Sequence, residues 1–208
     1  MAYVNIGIRL AGPLEVTVGA KRFEPGDFPG RQGRIVFAAL AFSGRPVDRN
    51  ELADILWPNR LPASWTRDLS AVISKLRSLF AGVADVATGG GRWYALELPS
   101  DARIDVAEAA SAVERAEEAR AAGDDPRARR EAETAAALLS EPFLSGDECA
   151  WVDERRAALR EMLFRALVVR TEVLCDASSA GATVAAQALV DLEPAREQAH
   201  IQIGRAHV

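Results

Sequence analysis

The sequence predicts a mainly α protein with a small β component, organised as two modules, residues 1–100 and 101–208. Three observations predict it. Apolar residues alternate over residues 4–23 and again near Trp93–Leu98, but elsewhere recur at helical intervals of three and four. Composition turns alanine-rich and acidic at Asp101. Charge divides at the same place. Residues 1–100 carry 12 Lys/Arg against 9 Asp/Glu, a net of +3, whereas residues 101–208 carry 13 against 21, a net of −8. The overall charge of −5 argues against a polyanionic partner; the divided charge leaves the first module able to face an anion.

Each element follows in order. "VNIGIRLAG" and "LEVTVGAKRF" alternate about Gly12-Pro13 and predict a strand hairpin. "EPGDFPGRQG" is a breaker-rich loop. "RIVFAALAFSG" spaces Ile35, Val36, Ala39, Leu40 and Phe42 as a short helix closing near Gly44. In "DRNELADILW", Asp48 is an N-cap with Glu51 three residues on, the spacing of a capping box, and Pro58 stops the helix. "PNRLPA" is a turn, and Ser64 caps "SWTRDLSAVISKLRSLF". Val83 and Val86, the Gly89-Gly90-Gly91 turn, then Trp93, Tyr94, Leu96 and Leu98 predict a second hairpin with the cation Arg92 at its tip.

From Asp101, "DVAEAASAVERAEEARAAG" and "DPRARREAETAAALLS" are two helices joined at Gly123-Asp124, with Pro126 suited to a first turn. "EPFLSGDECA" is a loop. A long helix then carries Trp151, Leu159, Met162, Leu163, Ala166, Leu167 and Leu174 inward. "GATVAAQALVDLEP" and "AREQAHIQI" form another pair. Glu-Pro recurs at 141–142 and 193–194, 52 positions apart, a faint repeat of helix pairs that predicts a tetratricopeptide-like α-solenoid. The ending "IQIGRAHV" runs on without a cap, and "QIGRAHV" matches an in-frame translation of a sequencing adapter. The solenoid is therefore expected to be incomplete at its C-terminus, with native sequence ending near Ile201.

The helix over residues 65–78 carries the chemistry. Leu69, Val72, Ile73, Leu76 and Leu79 form one apolar stripe. The other side holds Arg67, Ser70, Ala71, Ser74, Lys75 and Ser78, which are short, polar or basic. The first module thus reads hairpin, three helices, hairpin, which is the order of a winged helix-turn-helix. In that fold the third helix enters the DNA major groove. Short side chains let its backbone approach base edges; Arg67 can reach guanine O6 and N7, and Ser70 or Ser74 bases or phosphates. Lys75 and Arg77 suit phosphates, and Gly90, Gly91 and Arg92 at the wing tip suit the backbone or the minor groove. The bland account is a solvated helix face; order, polarity, Gly-tipped hairpin and local positive charge together favour DNA.

The stretch "RQGRIVFAALAFSGRPVDRNELADILWPNRLPASWTRDLSAVISKLRSLF" resembles the OmpR-like DNA-binding domain of the Streptomyces antibiotic regulatory protein (SARP) family. "EPFLSGDECAWVDERRAALREMLFRALVVRTEVL" and "ALVDLEPAREQAH" resemble that family's bacterial transcriptional activation domain. The resemblance covers nearly the whole chain in the same order. It implies an activator that binds double-stranded promoter DNA, often as a homodimer on direct repeats, and recruits RNA polymerase; apart from the resemblance, no cofactor is expected, and the protein is expected to be cytoplasmic and nucleoid-associated. By the family pattern the base readers fall on Arg67, Ser70, Ala71 and Ser74, phosphate contacts on Lys75 and Arg77, and the wing contact on Arg92. Trp57 and the "PNRLP" turn fall where the family touches polymerase. No receiver domain precedes the winged helix, so aspartyl phosphorylation is not the expected switch.

Other chemistry is not written in the chain. No P-loop, G-x-G-x-x-G, H-E-x-x-H or nucleophile elbow occurs. His200 and His207 lack acidic neighbours at ligand spacing, and Cys149 and Cys175 are expected to be free thiols. Neither an enzyme nor a metal protein is expected. There is no apolar run of about 18 residues to span a bilayer and no signal-peptide pattern, so no membrane partner is expected. Trp57, Trp93 and Trp151 are assigned to the core. Two competing functions remain: an adaptor whose winged helix docks proteins, and the regulatory front end of a larger ATPase-containing regulator.

Overall fold

The computed structural model describes residues 5–82, 85–179 and 181–206. Val83 of the second hairpin and His207 lie outside them. The fold is mainly helical with a small β part, a winged helix-turn-helix followed by helix pairs, as the sequence predicts.

Two compact units are present: Met1–Asp105 with Pro142–Arg155, and Val106–Glu141 with Arg156–Val208. A single division between residues 100 and 101 does not describe them, because the segment read as the loop "EPFLSGDECA" belongs, from Pro142 on, with the first unit. The backbone explains it. Gly12 N donates to Pro142 O (2.9 Å), Leu144 N to Leu10 O (2.8 Å) and Ser145 N to Gly12 O (2.8 Å). Arg34 then clamps Asp147 through two hydrogen bonds, Nε to Oδ2 (2.7 Å) and Nη2 to Oδ1 (2.8 Å). Asp147 is buried, and its hydrogen bonds hold the Arg34 guanidinium above its ordinary pKa. A buried carboxylate needs such a bidentate partner. Nothing in the local pattern of residues 141–150 announces a partner more than a hundred positions away.

In the first unit β1 (Ile6–Arg9) pairs antiparallel with β2 (Glu15–Val18), the predicted hairpin. The stretch read as one strand breaks at Gly19, whose φ of 57° turns the chain into β3 (Lys21–Phe23). Helix α1 (Gly30–Ser43) ends on Gly44 in the left-handed region. Next come β4 (Val47–Asp48), α2 (Arg49–Leu56), α3 (Trp65–Leu79), β5 (Asp85–Thr88) and β6 (Trp93–Glu97). Strand β6 lies between β4 and β5 in a three-stranded sheet. β7 (Arg103–Ile104) joins β1 in parallel, completing the order β3-β2-β1-β7. Just after it, the Asp105 carboxylate accepts from the backbone amides of Leu10 and Ala11.

The core of this unit is made of large side chains. Phe23, Phe28, Phe37 and Phe80 interlock with centroids 4.9–5.8 Å apart, and Ile35, Leu40, Leu52, Leu69, Ile73 and Leu76 are buried with them. Trp93 departs from its assignment: it is 37% exposed, on the wing, not in the core. Trp57 and Trp151 are half-buried.

The second unit holds α4 (Asp105–Ala121, from Val106), α5 (Asp125–Leu138), α6 (Ala150–Asp176, from Arg156), α7 (Ala182–Leu192) and α8 (Glu197–Ala206). Its interior is alanine-rich: Ala116, Ala119, Ala128 and Ala132 close against Val169 and Val173, and Ala112 and Ala135 against Val113 and Ala166. Phe164, overlooked by the sequence pattern, is buried with Leu167, Val168, Leu189 and Ala199. Cys149 and Cys175 are free thiols. No helix among the described residues is long and apolar enough to cross a membrane.

Candidate nucleic-acid interface

Helix α3 is amphipathic in the sense its sequence dictates. Leu69, Val72, Ile73 and Leu76 are buried, and α1 packs against it. Leu79, placed on the same stripe, is half-buried. Ser64 occupies the N-cap, but its hydroxyl donates to Asp68 Oδ2 (2.7 Å) instead of accepting a helix amide. The Ser64 carbonyl takes the amides of Arg67 (2.9 Å) and Asp68 (3.0 Å). For α2, Asp48 caps as predicted, accepting from Asn50 N (2.7 Å). Glu51, cast as the return arm of a capping box, pairs with Arg45 at 3.3 Å.

The opposite face of α3 is open. Arg67, Ser70, Ala71, Ser74, Lys75 and Ser78 are exposed, with Arg67 at 84% for its side chain. The serines are partly occupied: Ser70 Oγ donates to Thr66 O (2.7 Å) and Ser78 Oγ to Ser74 O (3.1 Å). A serine that donates to the preceding turn keeps its acceptor lone pairs outward. Arg77 differs from the rest. It is half-buried and already engaged, because at 100° per residue it falls at the margin of the buried stripe beside Ile73. The structure thus brings five of the six α3 candidates, Arg67, Ser70, Ala71, Ser74 and Lys75, onto one open face and leaves Arg77 at its edge.

The wing is placed by backbone pairing. Val47 pairs with Tyr94 and Asp48 with Trp93, and Arg49 N donates to Arg92 O (2.9 Å). This ties the hairpin tip to the start of α2. Gly90 and Gly91 have φ of 59° and 73°, a region closed to most side chains, and Gly91 N donates to Thr88 Oγ1 (3.2 Å). Gly89 is required for a second reason: a Cβ there would collide with the Trp93 indole. Arg92 is exposed at this tip.

Two residues absent from the sequence-derived set belong to this region. Thr66 is exposed one turn before Ser70, on the same face, and helical spacing alone signals it. Arg49 sits beside the wing tip, its guanidinium 5.4 Å from the Trp65 ring centroid. No local pattern signals that, because Arg49 meets the wing through a backbone bond to Arg92 and meets Trp65 at the start of α3, both distant in sequence. Among the described residues no group of three His, Cys, Asp or Glu assembles a metal site.

A family profile described as "Bacterial transcriptional activator domain" matches residues 104–208. The chain belongs to the SARP family of transcriptional regulators. It is similar to the regulatory protein AfsR of Streptomyces coelicolor (strain ATCC BAA-471 / A3(2) / M145), 30% identical over 169 residues. That alignment covers 80% of this chain but 17% of AfsR, so the chain spans under a fifth of that relative's length. Among solved structures it is similar to Mycobacterium tuberculosis EmbR in complex with a low-affinity phosphopeptide, with a TM-score of 0.82 and 25% identity over 98% of this chain and 54% of that one. The structural match takes in the winged part of this SARP chain as well as its activation domain. The family is one of transcriptional regulators.

Proposed function

We propose that this SARP regulator binds promoter DNA sequence-specifically through α3 and the wing, and that it activates transcription by recruiting RNA polymerase. The observation that carries the reading is the open face of α3: slim, hydroxyl-bearing and cationic, backed by the buried Leu69, Val72, Ile73 and Leu76, which fix the helix in the fold. Arg67, Ser70, Ala71 and Ser74 are the proposed base readers. Lys75, Arg77 and Arg92 are the proposed phosphate contacts, with Gly91 allowing the wing tip close to the backbone. The marginal position of Arg77 suits a phosphate at the groove edge better than a base. Residues 1–100 and 101–208 are proposed as the DNA-binding and activation modules, with Pro142–Arg155 supporting the first.

Recruitment is supported by the turn between α2 and α3. Leu61 is 47% exposed there, an apolar tip of the kind a protein partner covers.

Selection of bound sequences from a random DNA pool, followed by mobility shifts of the selected site at several salt concentrations, tests the reading. Three phosphate contacts per protomer predict a log affinity against log salt slope near about −2.7, and Lys75→Ala should flatten it by about 0.9. Arg67→Ala should cost about 1–3 kcal/mol at the selected site and relax preference at one base pair. Recovery of no common sequence, with affinity indifferent to salt, would move the function to protein docking.

A further inference from the structure

Ser70 and Ser74, one turn apart on the open face of α3, differ in what they offer a ligand. Ser70 Oγ donates to Thr66 O at 2.7 Å, so its single proton is spent within the helix. Only its lone pairs remain outward. Ser74 Oγ makes no hydrogen bond among the described residues and can turn to donate or to accept. The side-chain bond at that position goes to its carbonyl, from Ser78 Oγ at 3.1 Å. Arg67, three residues before Ser70, is the reverse of it. A guanidinium has donors alone, and this one is open, 84% exposed for its side chain with only a 4.0 Å approach to Asp68.

A hydroxyl that only accepts has few partners on a duplex. Phosphate oxygens also accept, so Ser70 has no proton to give them. In the major groove guanine N7 and O6, adenine N7 and thymine O4 are acceptors too. The donors there are the exocyclic amines, adenine N6 and cytosine N4. Along the helix axis Ser70 lies about 4.5 Å beyond Arg67, against about 3.4 Å between successive bases of a strand. The two side chains therefore meet neighbouring base pairs.

We propose that Ser70 is a specificity-determining residue that accepts from an exocyclic amine. On the strand it faces, α3 then selects adenine or cytosine over guanine and thymine, within about two base pairs of the guanine met by Arg67. This rests on the DNA reading given above and adds a base class to it. Ser74 sets no such preference, because its hydroxyl can serve either sense.

Sites are selected from a random DNA pool by the full chain and by its Arg67→Ala, Ser70→Ala and Ser74→Ala variants, all at exposed positions. Ser70→Ala is expected to relax one base pair at which the unsubstituted chain takes adenine or cytosine. That base is then exchanged for its analogue without the amine, purine for adenine or 2-pyrimidinone for cytosine. The unsubstituted chain and Ser74→Ala are expected to lose about three- to ten-fold in affinity, the worth of one neutral hydrogen bond. Ser70→Ala is expected to be indifferent to the exchange, and comparison with it cancels any effect of the analogue on the duplex itself. Guanine or thymine at the base pair relaxed by Ser70→Ala would mean that the hydroxyl has swung off Thr66 O to donate, and overturns the proposal. An equal loss in Ser70→Ala, or no base pair relaxed by it, overturns it as well. In those cases Arg67→Ala still relaxes its own base pair and the DNA reading stands. Recovery of no common sequence by the unsubstituted chain is instead the failure of that reading and takes this inference with it.

Discussion

Phe37 in α1 and Ala116 in α4 are both fully buried, yet they hold their units together in different ways. Around Phe37 the interior is filled by volume: the Phe80 ring stacks on it at 4.9 Å and Phe28 meets it edge-on at 5.4 Å. Around Ala116 the interior is filled by proximity, with helices meeting through methyl groups. Such a face buries little apolar area per residue. The second unit adds a rim of charge. Arg120 pairs with Asp125 at 2.7 Å, approaches Glu172 at 3.7 Å and also bonds Asp176. Arg165 grips Glu117 through two bonds, of 2.8 Å and 2.5 Å. In both pairings hydrogen bonds from the guanidinium to the carboxylates hold the arginine above its ordinary pKa. A volume-filled core can expose one bare helix face, because the other face is amply anchored. A proximity-filled one depends on helix spacing being kept everywhere.

The contrast breaks most sharply at Phe37. Phe37→Ala should destabilise the first unit by about 3–5 kcal/mol, since transfer free energy and a cavity both count against it. Hydrogen exchange on the full chain checks this: amides of α1 and α3 should lose protection while those of α4 and α5 keep theirs. Equal loss in both units would mean they do not unfold separately. Next comes the reverse insult. Ala116→Leu adds volume where Ala128, Ala132 and Val173 already close the gap, and should cost the second unit about 1–3 kcal/mol. The same exchange experiment should show α4 and α5 loosening with α1 unaffected.

Much of this difference is written in the sequence, and the parts that are not share a cause. The stripe Leu69–Val72–Ile73–Leu76 and the alanine run of α4 and α5 are periodic, so their helices and inward faces are legible. The caps at Asp48 and Gly44 are local signals and equally legible. What escapes is set by distant pairing. Strand β7 exists because Arg103 and Ile104 lie beside Gly7 and Ile8. The return of Pro142–Arg155 to the first unit rests on Arg34 meeting Asp147. Trp93 is misplaced because its alternation marks a strand correctly, but a wing has one face toward solvent. In the candidate interface, the open face of α3 follows from helical spacing, whereas the half-buried state of Arg77 and the approach of Arg49 to the wing depend on tertiary packing.

A smaller effect sharpens the same contrast. If α3 is anchored wholly by its buried stripe, changes on the open face should leave the fold indifferent. Arg67→Ala and Ser74→Ala should each shift stability by no more than about 0.5 kcal/mol, the usual range for exposed positions. Arg67 makes only a 4.0 Å approach to Asp68. Urea midpoints read against DNA affinity check the separation: the midpoint should hold while binding falls. A midpoint that moves with affinity would make the face structural.

The smallest expected effect concerns pH and belongs to the second unit alone. Arg196 donates to Glu161 through both terminal nitrogens, at 2.5 Å and 3.0 Å, and its guanidinium carbon lies 3.8 Å from the Phe164 ring centroid. The hydrogen bonds from Arg196, helped by the charges of Arg196 and Arg165 and opposed by desolvation, hold the Glu161 carboxyl below its ordinary 4.5. A carboxyl lowered in the folded state binds protons more readily when unfolded, so stability rises with pH across that interval. The contribution is complete above about 4.5, the unfolded value, and is lost as pH falls through the lower folded value. The pair is half-exposed and screened, which keeps the effect small. Glu161→Gln should therefore lower the urea midpoint slightly at pH 6, and the gap from the unsubstituted chain should close as pH is brought to 3. Arg196 keeps its contact with Phe164 in acid, so the α6–α8 contact should weaken without opening; a gap that widens in acid would mean the carboxylate is not the group that titrates.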